Sequence, residues 1–182
     1  MKTWITKVLL SCLLILGLGL TSCEAETSPP PLPILKPVTL DSIKQFKDGQ
    51  IVYVPIYSYI YMWDRNRRMD LTATLSIRNT DRQHPIILMA VDYHDVSGKL
   101  VRRYLDNPVE LGTLAAAEFV VNQEDTSGGS SASFIVRWVA TNPVTDPVIE
   151  SIMINTSGNQ GVSFVSTGRV IESKPESIPG TP

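Results

Sequence analysis

The chain has 182 residues, of which 43% are hydrophobic and 19% charged, and its formal net charge is −2. That balance supports a folded core and excludes both wholesale disorder and an overall basic nucleic-acid footprint. Two Cys and two His exclude a disulfide framework and argue against a Cys/His zinc site.

The N-terminus reads as an export signal. Lys2 and Lys7 supply a positive start, and residues 8–20 are almost wholly apolar. The run is shorter than the roughly 20 residues that span a hydrocarbon core, so a signal segment fits better than a permanent membrane helix. It ends in Leu20-Thr21-Ser22-Cys23, which resembles the lipobox of bacterial lipoprotein precursors. The resemblance implies removal of residues 1–22 and acylation of the Cys23 thiol. Fatty chains on Cys23 anchor a protein to a membrane without a spanning helix, because each buried CH₂ contributes about 0.8 kcal/mol. An ordinary secretory signal and an uncleaved insertion are the alternatives. With Cys12 removed and Cys23 acylated, no thiol is left for a disulfide or for catalysis. The expected location is the bacterial plasma membrane or outer membrane, on the exported side.

Residues 23–39 follow as a tether. Pro29, Pro30, Pro31 and Pro33 favour an extended, semi-rigid spacer. A domain is expected over residues 40–172 and a tail over 173–182, where Pro175, Pro179 and Pro182 argue for disorder. Residues 40–46 predict one short helix, with Asp41 near its start and Gly49 past its end. Beyond it every periodic segment reads as a strand. Residues 52–61 alternate, with Val52, Val54, Ile56 and Ile60 on one face and Tyr53, Tyr57, Tyr59 and Tyr61 on the other; Pro55 places this strand at a sheet edge. Residues 71–78 alternate as well, setting Leu71, Ala73, Leu75 and Ile77 against Thr72, Thr74, Ser76 and Arg78. Residues 86–93 are apolar on both faces until Asp92 and read as a central strand, turned at residues 95–98 into a return arm over 100–104. Residues 118–122, 134–140, 148–155 and 162–165 supply the remaining strands. Pro85, Pro108, Pro143 and Pro147 fall between them. The fold expected is all-β, an antiparallel immunoglobulin-like β-sandwich with disordered termini.

Several strings, in order, carry a resemblance. They are Tyr53-Val54-Pro55-Ile56-Tyr57-Ser58, residues 71–81 (LTATLSIRNTD), Val91-Asp92-Tyr93 with Gly98-Lys99-Leu100-Val101, Ser127-Gly128-Gly129, Phe134-Ile135-Val136 with Trp138, and Gln160-Gly161-Val162-Ser163-Phe164. Across residues 51–171 the chain resembles a bacterial lipoprotein family designated domain of unknown function 3124. The resemblance implies an envelope lipoprotein and brings no catalytic residue with it.

Four constellations carry the chemistry on offer. Tyr53, Tyr57, Tyr59 and Tyr61 form a candidate ligand face, since a tyrosine joins an apolar body to a polar tip; the plain alternative is that they cover a sheet or pack under a loop. Asp92, His94 and Asp95 form the acid–imidazole cluster. A metal there needs further ligands, such as Asp106 or Glu110, and a hydrolase needs an activated serine, for which no Gly-x-Ser-x-Gly is present. The run Ser127-Gly128-Gly129-Ser130-Ser131 has the composition of an anion cradle but lacks the lysine and helix of a phosphate loop, and reads as a hairpin loop. Arg65, Arg67 and Arg68 beside Trp63, and the pair Arg102 and Arg103, are solvated loops or contacts for lipid head groups or an anionic wall polymer. No catalytic set, cofactor site or metal site is assembled.

The sequence therefore points to a lipid-anchored envelope protein that acts as a binding or structural module, with an envelope protein or glycan as partner and no nucleic acid. Two alternatives stand: a metal-dependent or hydrolytic enzyme centred on Asp92 and His94, and an assembly chaperone that lends a sheet edge. Mass spectrometry of the mature product is expected to show residues 1–22 absent and fatty chains on the sulfur of Cys23; an intact Met1 start or a free Cys23 thiol refutes the anchor.

Overall fold

The computed structural model describes residues 35–40, 45–158 and 161–173. The chain divides into two compact units, Met1–Pro31 and Leu32–Pro182, and the described residues all belong to the second. The expected signal segment, Cys23, most of the tether, residues 41–44 of the expected helix and the tail from residue 174 onward lie outside the described residues.

Among the described residues thirteen strands follow one another: β1 (Lys36–Pro37), β2 (Asp48–Ile56), β3 (Tyr59–Tyr61), β4 (Arg68–Asp70), β5 (Thr72–Arg78), β6 (Ile86–His94), β7 (Leu100–Arg103), β8 (Val109–Leu111), β9 (Ala116–Val121), β10 (Ala132–Ala140), β11 (Val148–Asn155), β12 (Val162–Thr167) and β13 (Arg169–Ser173). Every pairing is antiparallel. A seven-stranded sheet runs in the order β1-β8-β6-β10-β2-β13, with β7 also on β6; a four-stranded sheet runs β12-β11-β5-β9; β3 and β4 form a separate hairpin. The all-β, antiparallel expectation is borne out.

The two larger sheets share one core. Val54, Val91, Tyr93, Phe134, Val136 and Trp138 of the larger sheet join Ala73, Leu75, Ile77, Val121 and Met153 of the smaller in a single buried cluster. The alternation read in residues 71–78 explains the smaller sheet's share: Leu71, Ala73, Leu75 and Ile77 are fully buried. On the outer face Arg78 pairs with Glu150 of β11. Tyr104 bridges the layers, with its ring centroid 5.6 Å from Phe119 of β9 and 5.6 Å from Phe134 of β10.

β6 is a central strand, as its apolar run predicts. Its two apolar faces have a specific cause. The pairing with β10 slips between Arg137 and Trp138, where β6 steps from Ala90 to Leu88. This bulge inserts one residue and moves the inward set from Tyr93 and Val91 to Leu88 and Ile86, all of them buried. Because side chains alternate with period 2, a one-residue insertion exchanges the faces.

Two expectations are corrected. Residues 52–61 are not one edge strand. β2 ends at Ile56 and lies between β10 and β13, and its pairing with β13 runs from Gln50 to Tyr53, leaving the stretch beyond Tyr53 open on that side. Pro55 falls in that open stretch, the place where a missing N–H costs no ladder bond. The run breaks because Ser58 turns inward: its N–H donates to the Gly129 carbonyl (3.1 Å) and its carbonyl accepts from the Leu71 N–H (2.8 Å). The loop at residues 122–131 is not a hairpin loop either. β9 belongs to the smaller sheet and β10 to the larger, so this loop crosses between layers.

Gly168 makes the reverse crossing, from β12 to β13. Its N–H donates to the Ile149 carbonyl at 2.8 Å, and a Cβ there would lie 2.8 Å from that oxygen and 2.8 Å from Cγ1 of Val52. Gly168→Ala is expected to cost about 1–3 kcal/mol in urea unfolding, the usual penalty of overpacking. Gly112→Ala, with nothing within 4 Å, is expected to change stability by under about 0.5 kcal/mol.

Candidate functional site

The strands deliver their connections to two ends, and polar side chains brace both. At the first end, Asn79 is buried. Its Nδ2 donates to the carbonyls of His84 (3.0 Å), Gly112 (2.9 Å) and Leu111 (3.3 Å), and its Oδ1 accepts from the Asp81 N–H (2.9 Å). Asp81 then collects three backbone donors: Gln83 and His84 on Oδ1, both at 2.8 Å, and Thr145 on Oδ2 at 3.0 Å. The Thr145 donor leads, followed by Gln83 and His84, in lowering the Asp81 carboxyl to about 2. The Thr80 hydroxyl adds a bond to the Asp146 carbonyl (2.8 Å). In the sequence Asn79-Thr80-Asp81 follows directly on the alternating strand of residues 71–78; in the fold these residues tie three connections together. His84 belongs to this brace, its Nδ1 lying 3.5 Å from Asp81.

At the opposite end the brace is partly buried. The hydroxyls of Ser58 and Tyr93 share a hydrogen bond of 2.8 Å. Gly128 lies so close beneath that a Cβ would stand 2.0 Å from the Tyr93 hydroxyl. Burial pushes the Tyr93 phenol above its ordinary range. Alongside, Arg102 donates to Asp125 (2.6 Å) and to the Tyr104 hydroxyl (3.0 Å), which in turn donates to the Val120 carbonyl (2.9 Å). The Ser127–Ser131 run is built into this brace. Its Ser127 N–H goes to Asp125 (3.2 Å) and its Gly129 N–H to the Thr126 carbonyl (3.1 Å), so these donors are engaged within the loop. Asp95 caps the β6–β7 turn, accepting from the N–H groups of Ser97 (2.8 Å) and Lys99 (2.9 Å) and from the Ser97 hydroxyl (2.6 Å).

The four candidate tyrosines part company. Tyr53 is half-exposed on β2, opposite Ile135 and Arg169. Tyr57 is partly buried, its ring 5.6 Å from Phe164 at 67°. Tyr59 and Tyr61 stay together on β3, edge to face at 5.7 Å. The fold joins to that pair the residues that the sequence placed apart as a basic loop. Arg68 stacks over Tyr59 at 4.9 Å and Arg67 over Trp63 at 5.3 Å. Trp63 is 84% exposed and Tyr61 52%. Arg65 has no ion pair among the described residues, whereas Arg68 lies 3.1 Å from Asp70.

This aromatic–arginine hairpin is held firmly from below. Ile60 and Met69 oppose one another across β3 and β4 and pack on the core. The Asp70 carbonyl accepts from Asn155 Nδ2 at 2.6 Å, fixing β4 to the end of β11. The turn closes by the Met62 N–H on the Arg67 carbonyl (2.9 Å) and the Asn66 N–H on Asp64 Oδ1 (2.7 Å). Residues 61–65 line a shallow, open depression beside it.

Asp92 and His94 share the outer face of β6. Arg103 Nε lies 3.9 Å from Asp92, and His94 stands opposite Ser133 and Leu100, its Nδ1 buried without a hydrogen-bond partner among the described residues. Glu110 is opposite Ile87, toward the other end of β6, and Asp106 sits in the exposed β7–β8 connection. Among the described residues no group of three or more His, Cys, Asp or Glu is placed to hold a metal ion.

A family model described as a protein of unknown function, DUF3124, matches residues 49–171. The chain belongs to the DUF3124 family. The matched span runs from β2 to β13 and takes in both sheets and the hairpin. In this DUF3124 chain the strings that carried the resemblance are chiefly architectural: residues 71–81 form β5 and the Asn79–Asp81 brace, and Ser127-Gly128-Gly129 seats Tyr93. No curated protein matches the chain. A solved structure titled as that of Thermotoga maritima 1070 is similar at 13% identity and a TM-score of 0.40, over 66% of this chain and 92% of that one, a likeness too distant to carry fold or function across.

The Asp81 brace has a pH signature. Its carboxyl is depressed from 3.8 to about 2, so the stability it contributes is complete above 3.8 and is lost as pH falls through 2. Asp81→Asn is expected to lower the urea midpoint at pH 7, and the gap from the parent protein is expected to narrow toward pH 2. An equal gap at both pH values contradicts the assignment.

Proposed function

We propose that this DUF3124 protein is a lipid-anchored binding module of the bacterial envelope. In this reading its two sheets form an immunoglobulin-like β-sandwich, and the β3–β4 hairpin is its recognition surface for an envelope glycan or protein. The anchor rests on the Leu20–Cys23 lipobox resemblance. The recognition surface rests on one observation above the others: Trp63 is 84% exposed on a hairpin whose other face is pinned to the core.

Leaving a Trp in water forfeits about 1.5–3 kcal/mol of burial, and Trp, Tyr and Arg are the residue types that dominate binding energy at interfaces. The hairpin concentrates all three. Arg67 and Arg68 each cover one face of the Trp63 and Tyr59 rings, which reduces the rotamer entropy lost when a ligand stacks on the other face. A sugar ring can lie on the open aromatic faces, and Arg65 offers a donor fork to an acidic group.

The full chain in detergent micelles is expected to bind either isolated cell-wall glycan or extracted envelope protein, read by sedimentation and crosslinking. Changing Tyr61 and Trp63 to Ala together is expected to weaken that binding about thirty-fold, equivalent to about 2 kcal/mol, with no change in melting temperature. Undiminished binding by the folded double variant refutes the hairpin as the surface, and a parent protein that binds neither material refutes the module.

A further inference from the structure

The four-stranded sheet ends in β12 on one side, and among the described residues no strand pairs with its outer edge. Exposed sheet edges are templates for strand addition, and proteins blunt them with charge, proline, bulges or a covering group. The other edges here carry such devices. β13 has Arg169 and Glu172 and a bulge between Val170 and Glu172. β9 has a carbonyl, that of Val120, capped by the Tyr104 hydroxyl at 2.9 Å. β1 is a two-residue strand ending in Pro37, and β7 bears Arg102 and Arg103. β12 reads Val-Ser-Phe-Val-Ser-Thr: no charge, no proline, and an unbroken register with β11 from Glu150↔Thr167 to Asn155↔Val162.

An apolar row leads to this edge. On the outer face of the sheet, Val120 of β9 lies opposite Thr74 of β5, Thr74 opposite Ile152 of β11, and Ile152 opposite Val165 of β12. Val120 is 45% exposed and Val165 55%. Valine, isoleucine and threonine across neighbouring strands reinforce one another, and at β12 the row reaches an edge with no paired strand among the described residues.

We propose that β12 is a self-association edge, at which two copies of this chain pair antiparallel about a two-fold axis at Val165 and join their four-stranded sheets into one of eight. A second copy fits for three reasons. A two-fold axis normal to the sheet keeps outward residues opposite outward residues, so Val165 meets Val165 of the second copy and Ser163 meets its Thr167. The apolar row then continues unbroken from one Val120 to the other. The strand brings no charge, so pairing with itself carries none of the like-charge repulsion that Arg169 or Glu172 would impose at the β13 edge. Phe164 is occupied on the inner face by Tyr57 at 5.6 Å and stays out of the contact, which favours the axis at Val165 over one at Phe164. Pairing through one six-residue strand is a small contact beside the roughly 1,200–2,000 Å² typical of stable interfaces, so a weak, concentration-dependent dimer is expected.

The test uses the full chain in detergent micelles. Sedimentation over a wide range of protein concentration is expected to show reversible dimerisation, weakened about ten-fold by Val165→Lys, which sets two like charges face to face. Val165→Cys under mild oxidation is expected to give a disulfide-linked peptide pair joining position 165 of one copy to position 165 of the other, identified by mass spectrometry. Val120→Cys on the far edge is expected to give no such link. A monomer at every concentration overturns the proposal. So does a dimer that is indifferent to Val165→Lys and whose Val165→Cys variant yields no disulfide at that position. If the lysine variant fails to fold, the disulfide link alone decides.

Discussion

The contact between Ser58, Tyr93 and Gly128 sets the arrangement at the hairpin end of the molecule. Tyr93 is fully buried on β6, and its hydroxyl must find a partner there, because an unsatisfied buried hydroxyl costs about 1–3 kcal/mol. Ser58 supplies it at 2.8 Å. Reaching inward to do so, Ser58 breaks the alternation of the preceding strand and sends the chain out as the β3–β4 hairpin. Gly128 completes the seat, because only a residue without Cβ fits beneath the phenol. The display of Tyr61 and Trp63 on the outer side of the hairpin follows from that inward turn.

The two ends of the fold then divide the work. At the Asn79–Asp81 end the polar groups are consumed by backbone partners, leaving a closed brace with little to offer a ligand. At the hairpin end the buried polar groups are satisfied below the surface while aromatic and guanidinium groups stand above it. A binding surface on a loop needs a rigid support if its residues are not to lose ordering entropy on contact. For the proposed hairpin surface, Ile60, Met69 and the Asn155–Asp70 bond would provide that support. The exposed β12 edge lies on the same layer as β5 and β11. A sheet extended across two copies would therefore carry a hairpin on each, and two weak recognition surfaces held together bind far better than one.

The polar strings that carry the family resemblance are explained by the first of these tasks. Asn79 and Asp81 each meet several backbone groups from separate connections, a demand that few side chains of their size can satisfy. Neither needs to touch a ligand to be required by the fold.

Composition and periodicity were enough to determine that the chain is an antiparallel all-β protein, that Leu71, Ala73, Leu75 and Ile77 face a core, and that residues 86–93 run through the middle of a sheet. Those are local consequences of period-2 alternation and of apolar residues on both faces. Which strand joins which sheet was decided only in three dimensions, because β9 and β10 look like the arms of a hairpin until their partners are known. The bulge in β6 and the break at Ser58 were equally invisible, since each shows only against a partner far along the chain, the β10 register at Arg137 and Trp138 in one case and Tyr93 in the other. The same holds for the hairpin surface: Tyr59, Tyr61, Trp63, Arg67 and Arg68 read as a strand end and a separate basic loop, and only the pairing of β3 with β4 stacks the arginines on the rings.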